Sequence, residues 1–390
     1  MISVAEALDK VLALSTPMGT ETVPLRAAAG RVLAEPVSAR RDQPPFAASS
    51  MDGYAICESD YAAGRSLTVI GEAAAGDGFA GSVTAGQAVR IFTGAPVPSG
   101  ASHVLIQEDA EATPDGLIIR TANETNPYIR PAGADFKAGQ TLHAPLRLSP
   151  QHIALLASMN IAAVPVRRRP KVALISTGTE LVMPGEDPGP DQIIASNTFG
   201  LAAMLEESGA QVQMLPIAHD TLPALRTAFA LTQGADLVVT IGGASVGDHD
   251  LVGDVAQELG MDRAFYKIAM RPGKPLMAGR LNGAAMVGLP GNPVSAMVCG
   301  VIFLKPLLRA MLGLGTEAEP HFEAPLAHDI GTNGPRAHYM RGRLENGALT
   351  VFERQDSALL TVLADANVLV LRAPGDPARS SGEVLQFVHL

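Results

Sequence analysis

A chain of 390 residues exceeds what one hydrophobic core usually organises, so two to four domains are expected. With 47% hydrophobic and 17% charged residues it reads as globular rather than disordered, and no apolar run of about twenty residues stands out as a bilayer span. A formal net charge of -10 and the absence of tryptophan argue against nucleic-acid binding, which draws on clustered Lys and Arg and on aromatic stacking. A small anionic ligand is compatible, because local cations act against the overall charge.

In chain order, MISVAEALDK lacks the basic segment and apolar core of a secretion signal, and Ser3 and Glu6 have the spacing of a capping box. The expectation is a cytoplasmic protein beginning with a helix that carries Val4, Leu8, Val11 and Leu12 on one face. Cys57 and Cys299 lie far apart with no CxxC partner, which predicts buried thiols rather than a disulfide or zinc site. From Arg40 to about Ala134, short apolar runs such as LTVIGE, AVRIFTG and HVLIQEDA alternate with Gly, Pro and Asp breakers and predict strands. Helix resumes at LSPQHIALLASMN, where Ser149 is a candidate N-cap and Pro150 takes the first helical position. The pattern predicts a discontinuous helical first domain, 1–39 and 135–168, interrupted by an inserted β-rich domain, 40–134. Arg167-Arg168-Arg169, just before Pro170, reads as an exposed linker.

Residues 169–315 alternate strands with helices. KVALIST, VQMLPIA, DLVVTIGG and AAMVGLP are apolar runs suited to a parallel sheet covered on both faces. SNTFGLAAMLEESG, TLPALRTAFALTQG and DLVGDVAQELG have the caps and periodicity of the intervening helices, so the fold class is multidomain with a central parallel α/β domain. Residues 316–390 hold short strand-like runs and predict a small C-terminal β-barrel or sandwich.

In such a sheet, ligands bind beyond the carboxyl ends of the strands. The loops there are Thr177-Gly178-Thr179-Glu180, the run from Gly242 and Gly243 through Ser245, Asp248, His249 and Asp250, and Leu289-Pro290-Gly291-Asn292-Pro293. Glycines let backbone N–H groups approach an anion, and a helix N-terminus favours phosphate. None is a standard nucleotide signature, and such glycines also serve tight turns. Asp248 and Asp250 either hold a hard cation such as Mg²⁺ or serve the turn and cap the helix that begins at Leu251. Lys267, Arg271 and Lys274 flank a Pro-Gly turn and suit oxyanions, if they are not simply solvated. In FAASSMDGYAI, Asp52 sits on a small-residue hinge, where it either bonds its own turn or presents a carboxylate to a ligand.

SSMDGYA, IFTGAPVP, IRPAGADFKAG, ISTGTELV, GGASVGDHD, MRPGKP and LPGNPVSA occur in the order and spacing of the molybdopterin molybdenumtransferase family, called MoeA in bacteria, and the chain resembles that family along essentially its whole length. The resemblance implies an elongated four-domain homodimer whose third domain binds molybdopterin. It implies insertion of molybdate into adenylylated molybdopterin, with hydrolysis of the adenylate to give molybdenum cofactor and AMP, and Mg²⁺ as the divalent ion. It makes Asp52, Thr93, Asp135, Glu180, Asp220 and Asp250 catalytic candidates. Asp220, Asp248 and Asp250 become metal candidates. The ligand-binding candidates are Arg130, Thr177, Gly178, Gly242, Gly243, Ser245, Lys267, Arg271, Lys274, Pro290, Gly291, Asn292, Pro293 and Ser357, with Arg336 and Asn367 as further positions. The family's cleft would join the second domain of one subunit to the third domain of its partner. Implied partners are a molybdopterin adenylyltransferase and apo-molybdoenzymes or their chaperones.

Two departures stand out. Arg271 replaces a frequent Lys, and Thr179 replaces a frequent Asp, which removes a carboxylate. Two other readings accompany this one. A molybdopterin adenylyltransferase shares the Gly-rich loop and PGNP turn but not the β domains or SMDGYA. A non-catalytic scaffold of the same fold normally accompanies extra domains or a long linker.

Overall fold

The computed structural model describes residues 1–123, 125–243 and 251–390. The chain forms two compact units, one made of Met1–Glu21, Gly30–Ala34 and Arg167–Leu390, the other of Thr22–Ala29 and Glu35–Val166.

The first unit opens with α1, Val4–Leu12, whose Ser3–Glu6 capping box forms as its spacing predicts. Its apolar stripe, Ala7, Leu8 and Val11, shares a core with the α/β sheet. This helix therefore packs with the α/β region and not with the later helix of its own expected domain, because a single amphipathic turn pair must bury its stripe against some larger apolar face.

The central sheet has six strands in the order Gln211–Met214, Lys171–Ser176, Leu237–Ile241, Ala284–Leu289, Met277–Leu281, Asp262–Tyr266. The first four are parallel and coincide with the four apolar runs read from the sequence. The last two run antiparallel, so the sheet is mixed. Met277–Leu281 turns into Ala284–Leu289 through a hairpin at Asn282-Gly283, both at positive φ (49° and 86°), the Asn-Gly signal of a two-residue turn. Helices α3 (Asn197–Glu207), α4 (Leu222–Ala230) and α5 (Leu251–Glu258) supply the crossovers. From Lys171–Ser176 the chain winds one way to Gln211–Met214 and then back past it to Leu237–Ile241, which creates a switch point between Ser176 and Ile241.

After the last parallel strand, α6 (Pro293–Cys299) continues through a π turn into α7 (Lys305–Met311). The rod Pro293–Met311 is long and apolar enough to cross a membrane, yet 83% of its apolar window is buried in the protein. It is apolar on all sides because it is a core helix. Arg167 and Arg168 are not a solvated linker either. Arg167 donates to the Met18 carbonyl at 3.0 Å, and Arg168 grips Asp236 with two N–H groups at 2.8 and 2.9 Å.

The C-terminal residues form a small β domain. Strands Ala348–Val351, Ala337–Glu345, Val368–Arg372, Val384–His389 and Phe322–Pro325 pair in that order, and a Leu326–Leu349 bridge closes the ring around Val351, Val370 and Phe387. This is the expected barrel. Met270–Arg271 adds to its Ala337–Glu345 strand in parallel, within the same unit.

The second unit holds a six-stranded sheet in the order His103–Ile106, Gly53–Ile56, Gln87–Ile91, Ser66–Ala73, Gly116–Ile119, Ala110–Thr113. Ala55 and Ile56 enter different hydrophobic clusters because adjacent residues face opposite sides, so this sheet is covered on both faces. Its helix α2, Pro150–Ser158, starts at the predicted Ser149 cap, whose hydroxyl accepts the His152 N–H. Residues 13–39, expected within a helical domain, hold short strands and a 3-10 turn after α1.

Candidate active site

A cavity of about 570 Å³ opens at the switch point. Four separated loops build it: Thr177, Gly178 and Glu180 from the first strand end, Asp220 before α4, Gly242 and Gly243 from the second, and Pro290, Gly291, Asn292 and Pro293 from the third. These ten sequence-derived candidates therefore share one wall. Backbone hydrogen bonds fix the loop bases: Thr177 N–H to the Ile241 carbonyl at 2.9 Å, Gly178 N–H to Ala218 at 3.1 Å, and Gly242 N–H to Leu289 at 3.1 Å.

The glycines are required by space as well as conformation. Gly242 and Gly243 have φ of +91° and +65°, and a Cβ at Gly243 would stand 2.1 Å from Val252 Cγ2. At Gly178 a Cβ would fall 2.5 Å from Glu180 Oε2, so the Glu180 carboxylate folds back over that glycine. Thr179, the residue that departs from the family pattern, accepts the Asp220 N–H on its hydroxyl at 3.2 Å. It lost a carboxylate but still ties two cavity loops together.

The polar lining also includes Ser196, Asn197 and Ser295, and the apolar lining Leu181, Ile193, Ile194 and Pro275, none of them singled out from sequence. Ser196 and Asn197 were legible only as a helix start. Ser357 reaches this site indirectly: its hydroxyl accepts from Asn292 Nδ2 at 2.9 Å, its carbonyl accepts the Val294 N–H at 3.0 Å, and its neighbour Ala358 joins the lining.

Lys267, Arg271 and Lys274 do not line the cavity, although the adjacent Pro275 does. Lys267 has a positive φ of 69° and sets its Nζ 4.6 Å from the centre of the Tyr266 ring. Arg271 belongs to a group of cations around His338. Burial, with Arg271, Arg341, Arg372 and Arg336 close by, pushes the His338 imidazole down to about 4. Arg341 is fully buried and two of its nitrogens have no hydrogen-bond partner, while Arg336 donates to the Met270 carbonyl at 3.2 Å. Asn367 bonds both main-chain groups of Leu344, which gives it a structural task.

In the second unit, Asp52 and Thr93 meet. One Asp52 oxygen accepts the Thr93 N–H at 2.7 Å and its hydroxyl at 2.8 Å. Arg130 lies in a short strand opposite Ala48, and Asp135 is exposed with its N–H on the Gln43 carbonyl at 2.9 Å. Ser245, Asp248, His249 and Asp250 lie outside the described residues.

A cleft of mixed polar and apolar lining at the switch point of an α/β sheet, rimmed by glycine loops, two carboxylates and a helix start, has the placement of a ligand site in doubly wound α/β enzymes. The whole chain is more specific than that. Residues 2–160 match the MoeA N-terminal region (domain I and II), 173–310 the probable molybdopterin binding domain, and 323–390 the MoeA C-terminal region (domain IV). The chain is 36% identical to a molybdopterin molybdenumtransferase of Nostoc sp., over 97% of this chain and 90% of that one. It is 37% identical to that of Haemophilus influenzae over the full length of both. The fold matches the crystal structure of a molybdopterin biosynthesis moeA protein from Pyrococcus horikoshii with a TM-score of 0.84, 28% identity and full coverage of both chains. The chain belongs to the molybdopterin molybdenumtransferase (MoeA) family.

Proposed function

We propose that this transferase of molybdenum cofactor biosynthesis takes adenylylated molybdopterin at the switch-point cavity, inserts molybdate at the dithiolene sulfurs and hydrolyses the adenylate. Water oxygen ends on the AMP phosphorus, the P–O bond to the molybdopterin phosphate breaks, and the two water protons remain with the AMP and molybdopterin phosphates or pass through a carboxylate to solvent. In the insertion Mo–S bonds form as Mo–O bonds break, and the released oxygen leaves as water with the thiol protons. The observation that carries this reading is the convergence of ten family-pattern residues from four loops on one cavity.

In that reading the Thr177 hydroxyl and the N–H groups of Gly243, Gly291 and Asn292 serve as donors to the phosphates, while Gly178, Gly242, Pro290 and Pro293, whose N–H groups are used between the loops or absent, shape the surface on which the ligand lies. Glu180 and Asp220 act as the acid-base and metal-facing carboxylates. Among the described residues no three acidic, histidine or cysteine side chains gather as a metal cluster. Two carboxylates on a phosphate-binding wall still fit Mg²⁺, which keeps several waters and takes one or two protein carboxylates plus phosphate oxygens. When bound, that ion would neutralise charge building on the phosphoryl oxygens. Asp248 and Asp250 are proposed to assist it. Lys267, Arg271 and Lys274, with Arg336, are proposed to attract the molybdate oxyanion, a role suited to the positive surroundings of His338.

We further propose a cytoplasmic homodimer, in which Asp52, Thr93, Arg130 and Asp135 of one subunit complete the cleft of the other. Two free thiols fit a reducing compartment. A molybdopterin adenylyltransferase would supply the substrate, and apo-molybdoenzymes or their chaperones would take the product.

The test is incubation of purified protein with adenylylated molybdopterin, molybdate and Mg²⁺, following AMP release and molybdenum insertion. Wild-type protein releases AMP and Asp220→Ala does not. Wild-type protein that leaves the adenylate intact would sink the reading.

A further inference from the structure

We propose that Asn197 is a positioning residue for this cavity: its side-chain amide locks the orientation of the Gly291–Asn292 peptide, and the N–H it donates, rather than its bulk, is what ligand binding requires. The proposal rests on the reading of the cavity as the ligand site.

Asn197 is the first residue of α3, and its Nδ2 donates to the Gly291 carbonyl at 2.6 Å. The amide is itself oriented, since the Ser196 hydroxyl donates to Asn197 Oδ1 at 3.3 Å. A trans peptide holds its C=O and N–H in opposite directions, so turning the Gly291 carbonyl towards Asn197 turns the Asn292 N–H away from it. The turn needs such a lock, because glycine leaves the Gly291 side of that peptide free to rotate. The other supports hold its flanks and not this peptide. Gly242 N–H binds the Leu289 carbonyl, Ser357 takes the Asn292 side chain and the Val294 N–H, and a Cβ on Gly291 would meet Gly242 Cα only at 3.5 Å. Asn197 is the described side chain that holds the Gly291 carbonyl itself.

Asn197→Asp separates donation from size. An ionised carboxylate cannot donate and faces the Gly291 carbonyl with like charge, whereas a protonated one can donate. AMP is the probe, titrated calorimetrically at about pH 8 and about pH 5 with wild type, Asn197→Asp and Asn197→Ala. At the higher pH both variants are expected to bind AMP about tenfold more weakly, the scale of one hydrogen bond. At the lower pH an aspartate at the first position of a helix is still ionised, so neither variant regains affinity relative to wild type. Hydrogen exchange of the peptide covering 289–296 is measured on the ligand-free proteins and rises in both variants at the higher pH. Wild-type affinity in Asn197→Asp at the higher pH, or unchanged exchange in that peptide, overturns the proposal. Should wild type itself fail to bind AMP, the assignment of the cavity fails, and the exchange measurement still decides the role of Asn197.

Discussion

Thr93 donates both its backbone N–H and its hydroxyl to a single oxygen of Asp52, at 2.7 and 2.8 Å. The backbone bond first, the hydroxyl second and nearby Arg90 third hold the Asp52 carboxyl below its ordinary range. Asp52 is thus charged at neutral pH and held in place through that one oxygen. The folded state favours the ionised form, so the pair stabilises the fold above about pH 4 and that contribution fades as pH falls through the lowered value. Thr93→Val, which keeps the N–H and loses the hydroxyl, is expected to raise the Asp52 pKa towards the ordinary value. Carboxyl-detected NMR titration checks it, and an unmoved Asp52 would show that the hydroxyl contributes nothing.

His338 is the opposite case of a group kept neutral. Burial and the cations Arg271, Arg341, Arg372 and Arg336 bring it to about 4. An unfolded chain takes up a proton near pH 6.5 and the folded chain does not, so stability is full above that pH and falls as pH drops from about 6.5 towards 4. The slope from this residue is at most about 1.4 kcal/mol per pH unit. Denaturant unfolding at several pH values should show a shallower fall for His338→Gln than for wild type. Parallel curves would mean that His338 is not the source.

Gly243 and Gly291 sit in one cavity wall and should respond differently to alanine. Gly243 has a positive φ and would drive its Cβ to 2.1 Å from Val252, whereas Gly291 has room at ordinary contact distance. Gly243→Ala is expected to cost about 1–2 kcal/mol from the left-handed backbone alone, with the clash added. Gly291→Ala should leave the melting temperature near wild type. Thermal melts of the two variants decide it, and equal losses would contradict the spatial argument.

Asp236 accepts two N–H groups of Arg168 and, in addition, the Lys171 N–H at 2.8 Å. Asp236→Ala leaves these donors without their partner at the start of the first parallel strand, and a destabilisation of about 1–3 kcal/mol is expected. A basic run acting only as a linker would give no measurable change in urea unfolding.

Asp52 belongs to one compact unit and Asp220 to the other. For a homodimeric site shared between subunits, Asp52→Ala and Asp220→Ala homodimers should each be poorly active. Heterodimers formed by subunit exchange would then carry one site with both defects and one with neither, so activity should rise towards about half of wild type per heterodimer. Native mass spectrometry verifies exchange and molybdenum insertion reads activity. Complete exchange with no recovery rejects the shared site.

What the sequence alone determined was local or periodic. The Ser3–Glu6 and Ser149–Pro150 helix starts follow from capping chemistry within four residues, and the four parallel strands follow from unbroken apolar runs such as KVALIS. The glycine and proline loops were legible because their backbone conformations suit few other residues, and ten residues of the family pattern, six of them glycine or proline, line one cavity. The Asn282-Gly283 hairpin is equally local, an Asn-Gly pair at positive φ. Other relationships depended on packing between distant segments. Nothing in the order of residues sends α1 to the α/β core, pairs Arg168 with Asp236 across 68 positions, or brings Asn197 to a carbonyl 94 residues away. A helix stripe or a charged side chain states only that it needs a partner, and close packing of the folded chain selects which one it meets.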